Sequence, residues 1–511
     1  MARAVAMRAR RQAVAKEIFF DPPTGGINAR DALTQMPRTD AVDLVNIFPE
    51  ANNVVLRRGH ASHATGLGAA VQTVMTWHAM NGSEKLFAVA GTTIWDVTAA
   101  GAATSAVTGL SNAKWQSLNI KTAGGLFLVC CNGADSVRHY DGTTWATPAI
   151  TGVTSSTLAN VFLFKSRLWF AQVNTLSLWY LGASAVAGAA TEFPLGAVFR
   201  RGGSVLAMGS LTRDAGEGPE DLFAIVTTNG EVAVYQGTDP ASASTWALVG
   251  LFDIGKPIGR RCVARLAGDM AIVTDEGVIS MQAALQFDRS AGEKAAITSK
   301  IQTKFAEYAR SYGDIPGWET YVYPKARYLI VNVPVLESTT QYQLVMNTVT
   351  GAWCEFRDMN ASSWGQANDK LYFGGNDGVV YVADSGYQDA GSAIEFTLST
   401  AWTDQHNAHN AFFTMVRPIM LTGGGLAFDV AADVDFQTST LTIPNGGTAL
   451  VGASWPITWP WTWGETQTLS TDWRTVGAIG GWVSVRMAGQ SDGGSLTLNG
   501  FGVLMQPGGV L

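Results

Sequence analysis

Short apolar runs, each broken by a Gly-containing or polar turn and followed by a second run ending in an aromatic or large apolar residue, recur along this chain. The phrase appears at 86–97 (LFAVAGTTIWDV), 126–140 (LFLVCCNGADSVRHY), 168–180 (LWFAQVNTLSLWY), 222–235 (LFAIVTTNGEVAVY), 270–281 (MAIVTDEGVISM) and 371–382 (LYFGGNDGVVYV). Two such runs joined by a turn read as an antiparallel hairpin. Self-similar hairpins at roughly 40–50 residue spacing predict a β-propeller, because one small sheet cannot bury both faces alone and must stack on its neighbours around an axis. These six hairpins and a weaker unit at 318–356 predict six or seven blades.

The flanking segments follow other patterns. Residues 1–40 carry Pro22, Pro23, Gly25, Gly26 and Pro37 with little apolar periodicity, which predicts an extended arm draped over another element. Strand signals begin near Val42, placing the propeller at 41–391, and the segment 54–57 (VVLR) is expected to close the ring by pairing with the sheet that contains 371–382. Loops such as 141–144 (DGTT) and 214–220 (DAGEGPE) read as surface turns. One insertion, 290–313, reads as a helix. Ser290 and Glu293 form a capping box, Ile297, Ile301, Phe305, Tyr308 and Tyr312 make one stripe, Gly313 ends it, and Lys300, Lys304, Glu307 and Arg310 make a polar face. Residues 392–511 hold strands at 426–430, 434–436, 482–487 and 496–504, and predict a second, β-sandwich-like or barrel-like domain. Its stretch 454–463 (SWPITWPWTW) is too rich in Pro for a central strand, and Trp455, Trp459, Trp461 and Trp463 there suggest a subunit contact, with carbohydrate binding as the alternative.

Composition sharpens the picture. The 511 residues are 47% hydrophobic, enough for packed cores, and only 15% charged, with 56 Gly and 17 Trp, as tight turns between aromatic-rich strands require. A formal net charge of -7 argues against gripping nucleic acid through the overall field. Cys130, Cys131, Cys262 and Cys354 lie in apolar runs without CxxC spacing and read as buried thiols, not zinc ligands or disulfides. No apolar run reaches the roughly 18 residues a membrane helix needs. The basic N-terminus (Arg3, Arg8, Arg10, Arg11, Lys16) lacks the apolar stretch of a secretory signal.

The search for chemistry returns mainly structural readings. GxxxxGK[ST], GxSxG and HExxH are all missing, so the expectation is a protein that is not an enzyme and needs no cofactor or metal. His406 and His409 have ligand-like spacing but no convincing third partner, and read as a polar linker. Asp433 and Asp435 would share one face of a strand and could attract calcium, although a solvent-facing strand edge is the plainer reading. The segment 136–145 (SVRHYDGTTW) matches the end of a sialidase-type Asp-box, SxDxGxxW, but lacks its Ser and does not recur, so Asp141 and Gly142 read as turn residues. Three pairs stand out against an arginine-poor background: Arg57 with Arg58, Arg200 with Arg201, and Arg260 with Arg261. Neighbours on a strand face opposite ways, so one of each pair could reach a shared surface near DNA or a neighbouring subunit, while local salt bridges are the plainer reading.

Several phrases carry a family resemblance. The segments 25–31 (GGINARD), 46–49 (NIFP), 55–59 (VLRRG), 231–240 (EVAVYQGTDP), 258–261 (IGRR), 345–354 (VMNTVTGAWC) and 372–382 (YFGGNDGVVYV), with Met36-Pro37 and Asp40-Ala41, resemble tail nozzle or hub proteins of short-tailed bacteriophages, also called tail tubular protein B or packaged-DNA stabilisation protein. The resemblance spans about 20–420. It implies a virion protein of the phage tail: a homo-hexameric ring below the portal and its head-to-tail adaptor, through whose lumen double-stranded DNA passes without sequence-specific contacts. It further implies tail fibres or spikes at the side and a plug or needle at the tip. The alternative is a propeller that binds or degrades cell-surface glycan.

Overall fold

The computed structural model describes residues 15–214, 219–286, 296–404, 410–442 and 468–507. The chain divides into two compact units, one of residues 57–392 and one that joins residues 1–56 to 393–511.

The unit 57–392 is a β-propeller. Each recurring hairpin supplies the middle of a small antiparallel meander. Five meanders are free-standing sheets, with inner strands Val71–His78, Gln116–Thr122, Leu158–Phe164, Val205–Asp214 and Val263–Leu266. Two further antiparallel runs start with Glu319–Tyr323 and Ala361–Ala367. The seven inner strands neighbour one another in a closed circuit, the last touching the first, so the weak unit at 318–356 is a blade and the ring has seven.

Stacking between blades explains the aromatic content. Trp169, Phe223 and Trp246 meet between the third and fourth blades, with Trp169 stacked on Trp246 at 5.5 Å. Phe87, Trp115 and Tyr140 fill the joint between the first and second. Burying each such ring contributes on the order of 1.5–3 kcal/mol, and neither blade could do so alone.

The ring closes with an early strand, but not at 54–57. His60–Thr65 pairs antiparallel with Val380–Ala383 in the last blade. Val54–Leu56 instead pairs with Ile47–Pro49 and with the C-terminal strand Leu496–Pro507. The step between the two segments occurs at Gly59, where a Cβ would lie 1.9 Å from the Gln388 carbonyl oxygen, so no side chain fits.

The unit of both chain ends holds two sets of antiparallel strands. One contains Lys16–Phe20, Leu496–Pro507, Ala411–Thr422 and Arg474–Gly480, and the other Ala41–Val45, Ser392–Thr400, Trp482–Ser491 and Leu426–Val434. Phe413, Val416, Phe501, Val483, Val485 and Met487 are buried in this unit. The expected division at 41 and 391 therefore shifts at its first boundary. Residues 41–56 belong with the C-terminal strands, and the expected arm contributes Lys16–Phe20 as a paired strand. The segment 25–31 is a compact turn: Asn28 Oδ1 accepts from the backbone N–H of Arg30 and Asp31, and its Nδ2 donates to Asp31 and Asp40 at 2.8 Å.

The helical insertion is shorter than its pattern. A 3₁₀ turn, Ser299–Ile301, precedes the α-helix Gln302–Tyr312, and Ile301 and Phe305 are buried. The capping box Ser290 and Glu293 lies outside the described residues. Lys304, on the polar face, is engaged within the protein. It pairs with the fully buried Glu355, which also accepts from Tyr308 Oη at 3.0 Å and from Arg357 Nε at 2.5 Å. A short helix at Met281–Ala284, capped by Ser280 Oγ, was not expected.

Candidate functional site

The inner strands enclose a series of cavities along the propeller axis. One of about 420 Å³ is walled by Gln72, Lys114, Arg260, Trp318, Gln341 and Ser362 among others. The next, about 540 Å³, shares Gln116, Arg260, Arg261 and Glu319 with it and continues past Asn160, Ser210 and Tyr321. A third, about 400 Å³, shares Val74, Ser117 and Trp364 with the second and opens beside His78, Glu84 and Asp369. Residue numbers climb each inner strand from cavity to cavity, which orders the three along the axis.

Arg260 and Arg261, adjacent in sequence, do opposite things. Arg261 Nη1 donates to Glu319 Oε2 at 3.0 Å and to Ser363 Oγ at 2.9 Å. Its Nη2 donates to Thr73 Oγ1 at 2.8 Å and to the carbonyls of Trp115 at 2.9 Å and Gln72 at 3.2 Å. One guanidinium thus ties the fifth blade to the sixth, seventh, first and second, and stands across the axis. Burial raises Glu319 above the usual carboxylate range although the Arg261 charge pulls the other way. Arg260 makes a single bond, from Nη2 to the Lys114 carbonyl at 2.9 Å.

The other arginine pairs are mainly structural. Arg57 is buried and forms a two-point pair with Asp389, Nη1 to Oδ1 at 2.8 Å and Nη2 to Oδ2 at 2.5 Å. It also donates to the Arg357 carbonyl at 2.9 Å and lies 5.9 Å from the Phe356 ring. His60 Nδ1 lies 3.0 Å from Asp389. Burial pushes Asp389 up, but the bonds and charges of Arg57 and His60 outweigh it and hold the carboxyl below its ordinary range. Arg58 stacks on Tyr387 at 5.7 Å. Arg200 and Arg201 are held by their backbones, whose N–H groups donate to the buried Glu231 at 3.1 Å and 2.8 Å, while the Arg201 side chain reaches Asp253 at 2.9 Å. No shared surface gathers the three pairs.

Asp141 behaves as a turn residue. Its carboxylate accepts from the backbone N–H groups of Thr143 and Thr144 at 2.7 Å, which drives its pKa down. Gly142 has φ +101° and its missing Cβ would meet Trp77 at 2.6 Å, so packing and turn geometry account for the Asp-box-like ending.

In the other unit the expected carboxylate pair is split. Asp433 is 3% exposed, not solvent-facing, and its Oδ2 accepts from Arg486 Nε at 2.7 Å. The strand stops at Val434. Asp435 and Phe436 follow with φ 47° and 62°, and Asp435 caps the N–H groups of Gly481 and Trp482. The expected strand at 434–436 is therefore a left-handed turn. No group of three His, Cys, Asp or Glu suited to a metal occurs among the described residues. The four cysteines are free and buried, and burial pushes the Cys131 and Cys262 thiols up to about 12. Trp455, Trp459, Trp461, Trp463, His406 and His409 lie outside the described residues. No helix among the described residues is long and apolar enough to cross a membrane.

Sequence reasoning missed the carboxylates Glu319, Glu355 and Asp389. A signal existed for two of them: Glu319 in ETYVY and Glu355 in WCEF are charges inside apolar strands, which burial tolerates only with partners.

No protein-family model and no curated protein matches the chain. Solved structures do. BBS1N in complex with ARL6DN is 11% identical with a TM-score of 0.40, covering 64% of this chain and 96% of that one. Chaetomium thermophilum Raptor is 11% identical with a TM-score of 0.41, covering 64% of this chain and 29% of that one. A catalytically inactive virginiamycin B lyase from Staphylococcus aureus is 11% identical with a TM-score of 0.38, covering 63% and 96%. Their likeness concerns the fold alone.

Proposed function

We propose that this chain is a structural subunit of a short-tailed phage tail, the nozzle or hub that forms a ring below the portal and adaptor and conducts DNA outward. The observation that carries an assembly role is an outward apolar row on one sheet of the unit of both chain ends. Phe412 and Ile479 are register partners on neighbouring strands and are 36% and 61% exposed. Leu469, opposite Leu421, and Phe19, opposite Gly502, extend the same face at 63% and 53%. Large apolar side chains exposed on one sheet, here beside the Arg417–Glu17 pair, suit a protein contact.

The family-like phrases support the same reading, since their residues serve architecture: Asn28 shapes a turn, Arg57 locks the ring closure, Glu231 holds a loop and Arg261 ties blades. The axial cavities, of 400–540 Å³, suit a small molecule or a few side chains and not a duplex. A DNA conduit would thus lie between copies, not within one propeller. We expect its wall to carry neutral or acidic groups, because each neutralised phosphate adds salt-sensitive affinity that slows passage.

The test is the mass of the purified chain, alone and with the adaptor ring. A hexamer, or a monomer that assembles only on the adaptor, supports the nozzle. A stable monomer that depolymerises polysaccharide replaces it with the glycan-acting reading.

A further inference from the structure

We propose that the 420 Å³ cavity at the Arg260 end of the propeller axis is a binding site for a carboxylate. Arg260 lines it with one hydrogen bond, to a backbone carbonyl, out of the five its guanidinium can make. No carboxylate pairs with it among the described residues, because the one beside it, Glu319, is bound to Arg261. Burial and the neighbouring Arg261 charge together press Arg260 below the ordinary guanidinium range, so an anion there relieves two costs at once.

The wall supplies the rest of a receptor. Gln72, Gln116, Ser338 and Trp318 line the wall, together with Ser362, whose hydroxyl donates to Asn376, and Gln341, whose amide oxygen accepts from Asn376 at 2.6 Å. Charge selects the ligand class. Arg260, Arg261 and Lys114 line the cavity with Glu319 and Glu337, three formal positive charges against two negative. A monoanionic carboxylate matches that excess and the planar fork of a guanidinium. A dianionic phosphate would be left partly uncompensated in a confined site. The carboxylate is either that of a free small acid or the end of a partner chain, and the site is independent of the assembly reading above.

Benzoate, benzamide, inorganic phosphate, triglycine and triglycine amide serve as probes, read by ligand-observed NMR on the full chain. Benzoate or triglycine should bind, and their amides at least tenfold more weakly. Arg260→Gln should weaken the acid at least tenfold. Gln116→Glu, which places a carboxylate in the same wall, should do likewise while melting at the wild-type temperature, so a folding defect in the first variant does not decide the matter. Preference for benzoate assigns a free acid, and preference for triglycine a chain end. Equal binding of acids and amides, equal binding of phosphate, or wild-type affinity in both variants would overturn the proposal.

Discussion

The propeller and the two-sheet unit are both antiparallel β, yet they are joined by different means. In the propeller each blade is a meander whose strands follow one another in sequence, and long-range order comes from a few buried charges at the joints: Arg57 with Asp389 near the closure, and Arg261 across the axis. In the other unit, strands from opposite chain ends pair directly, as Lys16–Phe20 does with Leu496–Pro507, and its ion pairs are the partly exposed Arg417 to Glu17 and the more buried Arg486 to Asp433. Sequence-local pairing is supplemented by charges near the closure and across the axis. Pairing across the whole chain is itself the lock.

The sharpest way to break this comparison is to remove the propeller lock. Asp389→Ala removes the carboxylate that pairs with the buried Arg57 and should cost about 3–5 kcal/mol in urea denaturation. A loss below about 1 kcal/mol would mean that the closure does not depend on it. The same pair should shape the acid limb. Because Asp389 titrates lower folded than unfolded, its contribution is complete above the unfolded value of about 3.9 and is lost as pH falls through the folded one. Asp389→Asn should therefore flatten the fall in stability below about pH 4, and an unchanged pH profile would remove the pair from the account.

Gly142→Ala comes next. Its φ of +101° and the approach of Trp77 put the cost at about 1–3 kcal/mol by thermal melting, whereas a sugar-binding role for this turn would leave stability untouched. The smallest effect belongs to the two-sheet unit: Arg417→Ala breaks a partly exposed pair and should change stability by less than about 1 kcal/mol. A loss comparable with that of Asp389→Ala would erase the contrast between the two regions.

What was legible in the sequence follows the same division. The hairpins at 86–97 and 371–382 were readable because both strands and their turn fall within one short window. The closing strand was misplaced because 54–57 (VVLR) carries an apolar strand signal that 60–65 (HASHAT) lacks, and the break between them rests on Gly59 against a carbonyl far along the chain. Arg57 and Arg261 stood out by composition, but their burial depends on Asp389 and Glu319, which no local pattern links to them. Asp433 and Asp435 looked equivalent by alternation, which holds only while the strand lasts, and it ends between them. The cavity beside Arg260 was unreadable because five blades build it.

The central claim, that this is an assembly subunit contacting its neighbours through the Phe412 and Ile479 face, is tested most directly by the mass of the wild-type chain and of Ile479→Asp, each alone and with the adaptor ring. The account predicts six times the chain mass for the wild type, alone or on the adaptor, and a monomer of unchanged melting temperature for the variant. A wild-type chain that stays monomeric in both settings, or a variant that assembles as the wild type does, would contradict it.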